Sequence, residues 1–158
     1  MRAMGYALLK TLHLLAIIVW IGGMYFAHFC LRPALAALDP PVRLKLMHAV
    51  LGRFFAAVSV AAITAFVTGV WMIGHVARRE RGVGDSFHLP LDWWPMVLLG
   101  TLMVVIFGYV RLALYPRLGR AMKAEQWPAA ASALAGIRQW VGVNLALGLF
   151  IVAVVVFF

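Results

Sequence analysis

Between Lys10 and Arg32 the chain carries no Asp, Glu, Lys or Arg. Read as a helix, a run of that length crosses a hydrocarbon core of about 30 Å, which takes about 20 residues. Three more runs of the same kind follow, and the sequence predicts spans at about 7–31, 53–76, 93–115 and 136–158. Only 12% of the residues are charged and 65% are hydrophobic, against a norm of about 25% charged in soluble domains. Lipid cannot hydrogen-bond a bare backbone, so each span must be helical. Short connections force neighbours antiparallel. The expectation is an all-α polytopic membrane protein, an antiparallel four-transmembrane-helix bundle forming a single domain over residues 1–158.

Proline and glycine set the expected boundaries. Arg32-Pro33 ends the first span, and Asp39-Pro40-Pro41 breaks the chain before a short basic helix at 42–51, predicted to lie at the interface. The third span opens at Trp93-Trp94-Pro95, with proline tolerated in a first turn, and stops near Pro116. The fourth starts near Pro128 or Gly136. No small-x-small cleavage site follows the first run, so it reads as a retained span. Ala57, Ala61, Ala65 and Gly69 form a small-residue stripe for close helix approach. Gly22, Gly23, Gly100, Gly108, Gly142 and Gly148 suggest further close contacts.

The net charge of +9 lies between the apolar runs, not on one soluble face, so a nucleic-acid partner is not indicated. The lipid bilayer is the expected partner. The first and third connections carry Arg32, Arg43, Lys45, Arg53, Arg111, Arg117, Arg120, Lys123 and Arg138. The N-terminus and second connection carry Arg2, Lys10, Arg78, Arg79 and Arg81. The positive-inside rule then places both termini on the outer side, the periplasm of a bacterial inner (plasma) membrane.

No Asp, Glu, Lys or Arg lies deep in any predicted span, which argues against carboxylate proton relays and excludes paired-acid chemistry. What remains is His, Met, Cys, Tyr, Asn and hydroxyls. His13, Ile17, Trp20, Met24 and His28 recur at helical spacing on one face of the first run. His13 and His28 are about 22 Å apart along a helix, so they fall at opposite ends. His13, Met72, His75, His88 and Met96 sort to the outer end, with Thr64 and Thr68 on the stripe leading to Met72 and His75. His28, Cys30, Met47 and His48 sort to the inner end. Imidazole, thioether and thiolate suit copper, above all Cu(I), while imidazole and thioether also ligate haem b iron. An ionisable group inside an apolar run is a functional hypothesis by default, which singles out His13. For the methionines and Cys30 the plainer reading is packing.

Some of these residues resemble a known family. His13-Leu-Leu-Ala-Ile-Ile-Val-Trp20-Ile-Gly22-Gly23, then Leu31-Arg32-Pro33-Ala34-Leu35, resembles the opening helix of the copper resistance D (CopD) family. Arg53-Phe54-Phe55 leading to Thr68-Gly69 resembles its second helix, and Tyr115-Pro116-Arg117-Leu118 the end of its third. The resemblance implies an inner-membrane protein that binds or transports copper, with a periplasmic copper-binding protein as a partner and His13 as the matching first-helix histidine. Lys10-Thr-Leu-His13 is also similar to the first-helix motif of HemJ-type protoporphyrinogen oxidases, which are haem-binding membrane enzymes. That family has a lysine early in its third helix, where this sequence has Met96 or Val97. Two further readings therefore stay open. One is a b-type haem oxidoreductase or electron carrier with a porphyrin or quinone partner, its haem held by His13 with His75 or Met96. The other is a non-catalytic structural subunit. Association into a homo-oligomer is open as well.

Overall fold

The computed structural model describes residues 2–82 and 93–157; His88 lies outside the described residues. Four long helical segments account for nearly all of them, and no strand occurs among the described residues. All four are long and apolar enough to cross a membrane. The first helix, Arg2–Tyr25, is prolonged by a π turn at Phe26–Leu31, by Arg32–Ala34 and by a 3-10 turn at Leu35–Ala37. The second is Pro40–Gly82. The third runs from Trp93–Tyr109 through a second π turn, Val110–Leu114, into Tyr115–Lys123. The fourth is Trp127–Phe157.

Proline acts differently here than its sequence position suggests. Pro33 and Pro116 were expected to end the first and third helices, yet both helices continue past them. A proline ring collides with the carbonyl four residues earlier in a regular α-helix. Those carbonyls belong to Phe29 and Leu112, and each sits inside a π turn. Widening the helix there relieves the collision. The Arg32 N–H bonds to Ala27 O and the Tyr115 N–H to Val110 O, each five residues back. The expected interfacial helix at 42–51 is likewise the opening of the 43-residue second helix. Pro40 and Pro41 occupy its first turn, where a missing N–H costs nothing, and the Arg43 N–H bonds to Asp39 O at 2.9 Å.

The third and fourth helices are joined by a tight turn. The Gln126 N–H bonds to Ala121 O at 2.9 Å and the Glu125 N–H to Met122 O at 3.1 Å. This pairing is a Schellman cap. Its left-handed residue is Glu125, with φ 54°, where glycine is the usual occupant.

Packing is most extensive between the third and fourth helices and between the first and second. Two core clusters result. One gathers Leu44, Phe55, Val110, Leu118 and Ile137 at the end where the first and third connections lie. The other gathers Trp20, Met24, Val58, Met103 and Leu145 toward the chain termini. We call these the loop end and the terminal end. Outward positions are apolar as well, including Leu112 at 77% exposure and Val60 at 67%, as a lipid-facing surface requires. Of the small-residue stripe, Ala61 is buried but Ala57 faces outward. Gly23 and Gly148 do mark close approaches: an added Cβ would lie 2.6 Å from Phe54 Cε2 and 3.0 Å from Ile21 Cδ1, respectively. Gly22, Gly100 and Gly108 have nothing within 4 Å of that position.

Candidate functional site

His13 is the membrane-embedded imidazole the sequence singles out, and the second helix holds it by one nitrogen. Its Nδ1 lies 2.9 Å from Ala65 O and 3.0 Å from Thr68 Oγ1. A carbonyl can only accept, so Nδ1 carries the hydrogen. Thr68 agrees, since its hydroxyl hydrogen is committed to Thr64 O at 2.6 Å, leaving Oγ1 to accept. Thr68 is 5% exposed, one of two buried polar residues among the described residues. Gly69 completes the seat, because an added Cβ would come 3.4 Å from His13 Cε1.

This arrangement fixes the tautomer. With the hydrogen on Nδ1, the Nε2 lone pair is bare, and Nε2 is buried without a hydrogen-bond partner. A metal-binding histidine commonly donates its other ring N–H to a carbonyl in this way, which orients the ring and raises its basicity.

His13 lines a cavity of about 150 Å³ between the helices at the terminal end. Its wall is nearly all apolar. Two methionines line it from the third helix, Met96 and Met103, with Gly100 between them in sequence. The spacing 96, 100, 103 is one helix face. Met103 was not among the sequence candidates, although its seven-residue distance from Met96 carried the signal. Of the other outer-end candidates, neither Met72 nor His75 lines this cavity. Met72 is buried, and His75 packs against Tyr6 with ring centroids 5.6 Å apart.

Asn144, also missed in the sequence, is 3% exposed and sits at the same depth as Met103. Its Nδ2 donates to Met103 O at 3.2 Å, and its Oδ1 has no partner.

The loop end is built differently. His28 lies in the first π turn and packs over Gly142 of the fourth helix, where an added Cβ would sit 3.5 Å from its Cε1. Met47 lines the cavity beside it. Cys30 is exposed and lines neither cavity. His48 is stacked on Tyr115 at 4.7 Å, and the Tyr115 hydroxyl donates to His48 O at 3.2 Å. Among the described residues, no group of three or more His, Cys, Asp or Glu is placed to hold a metal. Met96 and Met103 are the sulfur-bearing residues in the His13 cavity lining.

A family model described as copper resistance protein D matches residues 48–158. The chain belongs to the copper resistance protein D family. The match takes in the second, third and fourth helices and leaves the helix that carries His13 outside it. No curated protein and no solved structure matches the chain. Family membership and four apolar helices make this a multi-pass membrane protein related to copper resistance.

Proposed function

We propose that the protein binds Cu(I) inside the membrane at the terminal-end cavity, as a step in moving copper or holding it there. His13 Nε2 and Met96 Sδ are the ligands, with Met103 Sδ as a further thioether on the same wall. The observation that carries this reading is the buried, unpartnered Nε2 of His13, in a residue that lines one cavity with two methionines. Soft thioethers and imidazole select Cu(I) over harder divalent ions, and Cu(I) needs no carboxylate. The cavity volume favours an ion. At about 150 Å³ it falls below the roughly 300–1,000 Å³ of pockets for drug-sized ligands, and a porphyrin needs more room than those.

The same reading places the chain in the inner membrane with both termini in the periplasm, where a copper-binding partner delivers the ion to the terminal end. Reporter fusions at the C-terminus test that orientation.

The decisive experiment is Cu(I) competition with a chromogenic chelator. Wild-type protein should bind one Cu(I) with sub-micromolar affinity, and His13→Ala should weaken it at least about 100-fold, as loss of a ligand exceeds the 10–100-fold typical of losing a ligand's supporting partner. Micromolar or weaker affinity that His13→Ala leaves unchanged would sink the proposal. An absorption spectrum of the same preparation tests the haem reading: a Soret band that shifts on dithionite reduction would favour haem over copper.

A further inference from the structure

The loop end holds a second cavity, of about 550 Å³, that the copper reading does not use. Arg32 of the first helix, Arg43 of the second and Arg138 of the fourth all line it, together with His28. No Asp or Glu is among its lining residues. A shallower cavity of about 710 Å³ adjoins it and shares His28, Arg32 and Arg138, again with no acid in the lining. The inner wall of the first is apolar, with Leu44, Leu51 and Ile137. Trp127 stands at its rim, and Lys45 Nζ lies 5.9 Å from the Trp127 ring centroid.

Three guanidinium groups gathered from three helices without a carboxylate leave an uncompensated positive charge. That charge is over an apolar recess at the depth where a helix leaves the membrane. Guanidinium suits phosphate, because its planar fork can make two parallel hydrogen bonds. The apolar wall suits a hydrocarbon chain. Basic pockets between transmembrane helices are the general form of a site for acidic lipid headgroups.

We propose that this cavity is a binding site for an anionic phospholipid, its phosphate held by Arg32, Arg43 and Arg138 and an acyl chain lying against Leu44, Leu51 and Ile137. The site joins the first connection to the start of the fourth helix, so the bound lipid fastens the loop end. It is independent of copper.

Native mass spectrometry of the full chain released from mixed phosphatidylglycerol and phosphatidylcholine vesicles tests the idea. Wild-type protein should retain phosphatidylglycerol at least about tenfold over phosphatidylcholine. Each arginine near a membrane surface contributes on the order of fivefold, so Arg32→Gln, Arg43→Gln and Arg138→Gln together should abolish the preference. The matched control is Arg117→Gln, Arg120→Gln and Lys123→Gln, which removes the same charge at the same end but outside the cavity. That control should keep most of the preference. Ala135→Trp, which fills the recess with every arginine kept, should lower lipid retention several-fold and covers the case in which the triple cavity variant fails to fold. Equal retention of the two lipids overturns the proposal. So does an equal loss in the control triple, which would mean diffuse charge attraction. Displacement of the lipid by millimolar inorganic phosphate would overturn it too, by showing a site for a free anion.

Discussion

His13 and His28 lie on the same helix and on the same sequence stripe, yet the bundle treats them oppositely. His13 is gripped at Nδ1 by a backbone carbonyl and a threonine, its other nitrogen is buried without a partner, and the residue lines a small apolar cavity. His28 is packed over a glycine among arginines at the edge of a large one. The difference lies in what surrounds the imidazole. An apolar wall with methionines favours a soft cation, whereas a wall with three arginines repels a cation and attracts an anion. One residue type thus reads as a metal ligand at one end and as part of an anion site at the other.

The contrast is sharpest under parallel substitution. His13→Ala should cost at least about 100-fold in Cu(I) affinity, as loss of a ligand exceeds loss of a supporting partner, while His28→Ala should leave it within about twofold. Equal losses would erase the distinction between the ends. Thr68→Val removes one of the two acceptors for the His13 Nδ1–H while Ala65 O remains. Supporting partners of this kind are typically worth 10–100-fold, so a loss of about tenfold is expected in the same competition assay. No loss would mean that Thr68 does not orient the ring. At the loop end, Glu125→Gly relieves a left-handed backbone costing about 1–2 kcal/mol, offset by about 0.5–1 kcal/mol of glycine entropy. A net gain of about 0.5–1 kcal/mol should appear as a higher Tm in detergent, with Cu(I) affinity unchanged. The smallest effect belongs to the discarded ligand candidates. Met72→Leu and His75→Ala should each change Cu(I) affinity less than about threefold, since neither side chain lines the His13 cavity. A loss as large as that of His13→Ala in either would redraw the ligand set.

Length and apolarity made the four helices legible, because a bilayer leaves few alternatives for uncharged runs of that size. Their ends were less so. Pro33 and Pro116 look like stops to any rule based on regular α-helices, and only the π turns reveal how the chain passes them. His13 stood out because a polar group in an apolar run is conspicuous. Its main anchor was invisible: Ala65 contributes a backbone carbonyl, which has no residue signature. Met103 could have been found by spacing, but methionine in a membrane helix usually signals nothing more than packing. Arg32, Arg43 and Arg138 were visible one by one as loop charge. Their shared cavity depends on three helices ending at one place, which no local pattern encodes.

The two π turns also bear on how the chain tolerates changes in length. A π turn is an α-helix with one residue to spare. Deleting one residue from Phe26–Leu31 or Val110–Leu114 would close the turn to regular α winding, with everything beyond it keeping its orientation. For the first helix, such a deletion would leave both His13 and Arg32 in place but bring the Pro33 ring back against the carbonyl one α-turn earlier. The first π turn is therefore a proline device: one extra residue lets the helix run on past Pro33 to the arginine-lined cavity.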